Sequence, residues 1–192
     1  MGRPARIFPA DLIAAASRIA ARLGPARASI AAIAKEAGAP VGSMYHRYPS
    51  RGALLAEVWI AAAERFGAQF NAVLAAARDT DALIEAALIT PRFAREDPAA
   101  GVVLFAHRRD DFLDEAPEES RARAAKLVSA LQKELSNAAK RHLAGDPRGR
   151  ERLAVALIGI PYGAVRVFLP QAVPPPEIDA VIAAATRAAL SH

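Results

Sequence analysis

The chain has 192 residues and no cysteine, enough for one large domain or two small ones. The missing thiols exclude a disulfide scaffold, a zinc ribbon, a cysteine nucleophile and an iron–sulfur cluster. Hydrophobic residues make up 53% and aromatics 6%, with 49 alanines, a composition that favours helices over sheets and builds the core from small side chains. The formal net charge is +5, and its location is uneven: Met1–Arg51 holds eight Lys/Arg against Asp11 and Glu36, while the remainder holds 17 basic and 18 acidic residues. A basic quarter on an electrically balanced body suggests a polyanion-binding module, the alternative being a solvated basic face.

In chain order, Pro9 and Ala10 open a helix to about Leu23, with Leu12, Ile13, Ala16, Ile19, Ala20 and Leu23 on one face. Gly24-Pro25 stops it, and Ser29 caps a short helix through Ile30, Ile33, Ala34 and Ala37 that ends at Gly38. A third short helix is predicted from about Pro40 to Tyr48. Pro49-Ser50 caps a long fourth carrying Leu54, Leu55, Val58, Trp59, Ala62, Phe66 and Phe70. Thr80-Asp81 starts a helix expected to kink or break at Pro91. Asp97-Pro98, Asp146-Pro147 and Pro176-Glu177 read as helix starts. Pro117-Glu118-Glu119 places two acids in a first turn, and that helix ends on Lys140, Arg141 and His142, both favourable to the helix dipole. The expectation is an all-α chain of about nine helices, divided into residues 1–52 and 53–192.

The second and third helices, joined at Gly38-Ala39, form a helix-turn-helix pattern. Met44 and Tyr48 face inward, leaving Val41, Gly42, Ser43, His46 and Arg47 as a short, mostly small outer face that fits a B-DNA major groove. Gly42 costs a helix about 1 kcal/mol, so either a ligand or a neighbouring helix should need its missing side chain. Arg3 and Arg6 form a basic arm ahead of the first helix, able to reach a minor groove.

The run Ser29, Ile33-Ala34, Ala37-Gly38-Ala39-Pro40-Val41-Gly42-Ser43-Met44-Tyr45-His46-Arg47-Tyr48-Pro49-Ser50-Arg51, Leu54-Leu55 resembles the DNA-binding domain of TetR-family transcriptional regulators. The match covers roughly residues 8 to 58. The resemblance implies a helix-turn-helix domain followed by a helical ligand-binding and dimerisation domain, and a repressor released from a near-palindromic operator by a small molecule. It also implies that Ser29 caps its helix and touches a phosphate. Val41, Gly42 and Ser43 would then face bases, and Tyr45, His46 and Arg51 would hold the DNA backbone. Pro40 departs from the pattern, standing where Ser or Thr is usual and giving up a hydroxyl cap.

In the C-terminal part, Phe93, Phe105, Phe112 and Tyr162 are candidates to line an apolar cavity, with His107 and Arg166 as polar anchors. Tyr162 lies in the breaker-rich Gly159-Ile160-Pro161-Tyr162-Gly163, where freed carbonyls and a phenol can meet a ligand. The absence of acids among these residues favours a neutral or anionic effector. Dimerisation is assigned to the apolar helix Leu153–Leu169, through Leu157 and Val165, and to the stripe Ile178, Val181, Ile182 and Ala185 on the last helix.

His107, Asp110 and Asp111 are metal-ligand types at helical spacing but read as a solvated helix end, so no metal and no cofactor is expected. The longest uncharged stretch near the C-terminal end is the 13 residues Leu153–Val165, short of the roughly 20 a bilayer needs. No signal peptide is evident, and the expected location is the cytoplasm, away from any membrane. The expected partners are operator DNA, a second copy of the chain and an apolar small molecule. The rival readings are a helical hydrolase-like enzyme and a basic interaction module. No G-x-S-x-G, P-loop, dinucleotide fingerprint or H-E-x-x-H supports the first, and the first helix is too alanine-rich for the second.

Overall fold

Short polar side chains start the helices by taking an otherwise unpaired backbone N–H three residues on. Ser29 accepts from Ala32 N at 3.2 Å, Ser50 from Ala53 N at 3.0 Å, Asp79 from Ala82 N at 2.8 Å and Asp97 from Ala100 N at 3.0 Å. In a computed structural model describing residues 8–191, these and other starts yield α1 (Pro9–Leu23), α2 (Ile30–Ala37), α3 (Val41–Arg47), α4 (Arg51–Ala76), α5 (Thr80–Glu96) and α6 (Pro98–Phe105). They are followed by α7 (Asp110–Leu113), α8 (Glu118–His142), α9 (Gly149–Ala154), α10 (Ile160–Arg166) and α11 (Ile178–Leu190). A 3₁₀ turn, Pro25–Arg27, follows α1, and a π turn, Val155–Gly159, fuses α9 to α10 in one rod. The described residues form no strand. With the fused rod taken as one helix, the single-turn α7 is the helix that the sequence pattern did not announce.

Several expected boundaries move. Pro91 neither breaks nor ends α5, which continues five residues beyond it. The lost N–H is tolerated because Leu88, Pro91, Phe93 and Ala94 are buried, and packing on both sides of the proline outweighs the local cost. α5 does start at Thr80, with Asp79 as its cap. Pro40 sits just outside α3 as its extended N-cap, with φ −63° and ψ 135° and no side-chain bond. Asp146-Pro147 makes a turn ahead of α9 instead of its first turn, Arg148 N donating to Asp146 Oδ1 at 2.8 Å. The breakers Gly159 to Gly163 are absorbed by the π turn, a known accommodation to a lost bond in the helical ladder.

The 26-residue α4, about 40 Å long, is the spine. Along it α8 runs in the same direction: Arg123 reaches Glu57 at 2.8 Å near one end, and Arg141 reaches Leu74 O at 3.0 Å near the other. On α5, α11 runs the opposite way, held by Arg95 to Asp179 in two bonds of 3.0 and 2.7 Å and by Arg187 to Asp81. One apolar core joins α1–α3 to the first half of α4, α6, α7 and α10. A second joins the far half of α4 to α5, the end of α8, the π-containing rod and α11. The core therefore runs continuously past residue 52. At that point Gly52 is pressed against the α7–α8 link, where a Cβ would stand 2.1 Å from Glu115 O. No helix among the described residues is long and apolar enough to cross a membrane.

Candidate functional site

The helix-turn-helix is closed by Gly38, whose φ of 63° lets the chain turn from α2 into α3 at a position where an L side chain would be strained. Met44 and Tyr48 anchor α3 in the core with 0% and 8% exposure. This orientation leaves Val41, Gly42, Ser43, Tyr45, His46 and Arg47 on the outside, and Ser29 exposed at the start of α2. Around Gly42 nothing lies within 4 Å of where a Cβ would be, so no neighbouring helix needs the glycine. The Ser43 hydroxyl donates to Pro40 O at 2.6 Å, tightening the uncapped first turn and leaving its oxygen outward as an acceptor.

Basic charge on this end is narrower than the sequence count. Arg18 and Arg22 both converge on Glu36, at 2.9 and 3.4 Å, and the Arg18 hydrogen bond holds the Glu36 carboxyl below its usual range against an opposing burial effect. Arg51, expected at the DNA backbone, is turned inward. Its guanidinium donates to Ala28 O at 3.1 Å and to Pro25 O, and pairs with Glu115 at 3.1 Å. Its fork ties the 3₁₀ turn and Ala28 to the start of α4 within the fold. Arg27, Lys35 and Arg47 form no ion pair among the described residues, and Arg3 and Arg6 lie outside them.

A cavity of about 200 Å³ lies against Tyr162. Its walls are Trp59, Ala63, Phe66 and Gly67 from α4, Thr90 from α5, Leu104 and Phe105 from α6, and Arg109 from the α6–α7 link. Leu127, Val128 and Leu131 of α8, Ile158 of the π turn and Tyr162 complete it. Of the six ligand-site candidates, Phe105 and Tyr162 line this space. Phe93 stands behind it, edge-on to Phe66 at 5.6 Å and Phe105 at 6.1 Å. The Tyr162 phenol is engaged within the fold, donating to Leu104 O at 2.6 Å, and burial pushes its pKa up. The ring is the part left to the cavity, 5.4 Å from Phe105. Arg166 stacks over the Tyr162 ring at 5.8 Å and is exposed, outside the lining.

His107 and Phe112 belong elsewhere. They face a separate space of about 480 Å³ between the 3₁₀ turn, the start of α4 and α7, shared with Arg51, Asp110, Asp111, Asp114 and Glu115. There burial holds His107 below its ordinary pKa, the Asp111 carboxylate opposing, and its Nε2 is buried without a partner among the described residues. No group of three or more His, Cys, Asp or Glu among the described residues is placed to hold a metal ion.

The dimer assignment is also redistributed. Leu157, Val165 and Ile182 have 0% exposure and fill the protomer's own cores, so they are unavailable to a partner, and Ile178 and Ala185 are half-buried. Val181 is 66% exposed, and Val155 of the π turn and Val167 after α10 are exposed at 57% and 78%. Sequence periodicity finds an apolar stripe but not which edge of a wide stripe faces inward. In the sequence Trp59 and Phe66 stand as apolar residues of the α4 stripe and Leu127 and Leu131 carry no signal of their own, because their meeting with Tyr162 depends on how α4, α8 and α10 cross.

Residues 12–58 match the family of bacterial regulatory proteins described as the tetR family. No curated protein matches the chain. In backbone the chain is similar to PfmR, a TetR-family transcriptional regulator from Thermus thermophilus, with TM-score 0.76 and 17% identity over 94% of this chain and 97% of that one. It is similar to the fatty acid degradation regulator FadR from Bacillus halodurans, with TM-score 0.71 and 16% identity over 95% and 98%. FadR from Bacillus subtilis, solved in complex with stearoyl-CoA, superposes with TM-score 0.69 and 14% identity over 96% of each. At these identities the likeness is one of fold.

Proposed function

We propose that the chain is a regulator of the TetR family, whose family model its residues 12–58 match, and that it is a repressor that binds a near-palindromic operator as a homodimer and releases it when a small molecule fills the cavity at Tyr162. It acts by binding alone, without catalysis. Residues 1–52 read the DNA, and residues 53–192 hold the effector and the partner subunit.

The observation that carries the DNA reading is Gly42: a costly helix glycine on an exposed face with open space where its side chain would be. A base edge or phosphate approaching α3 is what that space accommodates. Val41, Gly42 and Ser43 meet bases, while Ser29, Tyr45, His46 and Arg47 meet the backbone. Two copies joined through the outward valines of the π turn, the segment after α10, and α11 would set their α3 helices about 34–36 Å apart, one turn of B-DNA. Release follows if the effector prefers an arrangement in which that spacing is lost, with several kcal/mol of differential affinity needed to empty the operator. Trp59 lies on both the spine and the cavity wall, so it can report the event.

Selection from a random duplex pool, followed by gel shift over a salt series, tests this. Recovery of a near-palindrome, with affinity falling as salt rises, is expected. Gly42→Glu is expected to lose that site while keeping the fold. Equal binding of all duplexes, or unchanged binding by the variant, overturns the assignment of α3.

A further inference from the structure

The cavity's own chemistry defines what it takes. Its volume is about 200 Å³, and an apolar protein cavity of about 150 Å³ holds one benzene. One ring with a short tail, about eight to twelve non-hydrogen atoms, is on the scale of that volume. Three aromatic rings set its shape, Phe66 and Phe105 edge-on at 5.4 Å and Phe105 and Tyr162 edge-on at 5.4 Å, an arrangement that receives another ring well.

Two polar groups interrupt this apolar wall. Arg109 is the one charged lining residue, and its single ion pair is with its chain neighbour Asp110 at 3.4 Å, both side chains about half exposed. Arg108 also approaches Asp110, at 3.8 Å, so the carboxylate is shared and the Arg109 fork keeps donors to spare. Thr90 is the second. Of the buried polar residues Thr90, Ser120 and Thr186 among the described residues, Ser120 bonds Glu57 at 3.4 Å and Thr186 bonds Ala156 O at 3.1 Å. The Thr90 hydroxyl has no side-chain partner among the described residues and lines the cavity at 2% exposure. The hydroxyl is not sealed from the cavity, so a ligand that offers it a partner is favoured.

We infer that the effector is a compact aryl carboxylate, or a close aromatic monoanion, whose ring packs among Phe66, Phe105 and Tyr162 while its anionic group meets Arg109 and Thr90 supplies a further hydrogen bond. The inference rests on reading the chain as an effector-responsive regulator. The absence of any acid on the wall turns cations away, and the three-ring apolar wall favours a compact aromatic over a long acyl chain.

The test is Trp59 emission and calorimetry on the full-length protein with 3-phenylpropionate, 3-phenylpropanamide and 3-phenylpropylamine, and with straight-chain acids from four to sixteen carbons. The acid is expected to bind about tenfold or more tighter than the amide, a charge-assisted bond replacing a neutral one, and the amine not at all. In the chain series affinity should peak at mid length. Arg109→Ala should abolish the acid-over-amide preference and Arg109→Lys restore part of it. Thr90→Val should weaken both ligands, and Thr90→Ser should keep them. Affinity that keeps rising to sixteen carbons, an acid-over-amide ratio unchanged in Arg109→Ala, or no response to any probe overturns the inference. Operator binding measured on the same preparation separates the two readings. Protein that binds DNA but none of these probes refutes this ligand class alone, whereas protein that binds no DNA refutes the regulator.

Discussion

Gly42 and His107 are the side chains at which local cost and purpose part company. Alanine at Gly42 meets nothing within 4 Å, so Gly42→Ala should stabilise α3 by about 0.5–1 kcal/mol while weakening operator binding about tenfold or more. Thermal unfolding and gel shift on one preparation check both halves, and a variant that is more stable and binds as well as wild type removes the role given to the glycine. His107 is held below its ordinary value of 6.5 mainly by burial, so the unfolded chain takes up the proton first as pH falls. Stability contributed by the neutral ring is then complete above about pH 6.5 and is lost through the acid side of that value. His107 packs edge-on to Phe112 at 6.0 Å, and the groups around its space are Arg51, Asp110, Asp111, Asp114 and Glu115. The drop in melting temperature between pH 7.5 and 5 should be smaller in His107→Gln than in wild type, and an equal drop would place the acid sensitivity elsewhere.

The elements show which local signals survive packing. Caps do, because a side chain reaching its own helix's third N–H needs no tertiary partner. Removing the one on the spine, Ser50→Ala, should cost about 1 kcal/mol. Proline signals survive only when nothing opposes them. Pro91 lies inside α5 among buried neighbours, and Gly159-Ile160-Pro161 is accommodated by one π turn between two helices. The start of α4 depends on a close approach that no propensity encodes: Gly52 against the Glu115 backbone. Gly52→Ala should destabilise by about 1–3 kcal/mol, lowering Tm by roughly 2–12 °C at this chain length. It should also loosen the tie made there by Arg51, which calorimetry would register as a lowered or split transition.

At the scale of the whole molecule, exposure separates surfaces that association needs from those the protomer needs. Val181 and Ile182 are adjacent on α11, one 66% exposed and the other 0%. Val181→Glu should give a folded monomer by light scattering that no longer holds the operator. Ile182→Ala should cost about 2–5 kcal/mol and lower Tm without selecting a monomer. A Val181→Glu protein that stays dimeric would move the proposed interface off α11. The continuous core across residue 52 has a further consequence, since α1–α3 lie in one apolar core with α6, α7 and α10, α1 packing directly on α6. In the proposed release, strain at the cavity would pass along α4 to the α1–α3 unit packed on its first half.

Helix identity, the caps, the helix-turn-helix and the split in charge were all written in the sequence, because each depends on neighbours within about four residues or on a simple count. The inward positions of Met44 and Tyr48 were legible for the same reason: a short helix has one apolar side, and burial must follow it. What the chain order could not reveal is where elements cross. Only the crossing of α4, α6, α8 and α10 brings Trp59, Phe66, Thr90 and Arg109 to Tyr162 and sends His107 and Phe112 to another space. Only packing turns Arg51 inward and spends Leu157, Val165 and Ile182 inside the protomer. In an alanine-rich helix the apolar stripe is broad, and small side chains let it be buried at several rotations. The rotation is chosen by the few large residues it meets on other helices, and those meetings belong to the tertiary structure alone.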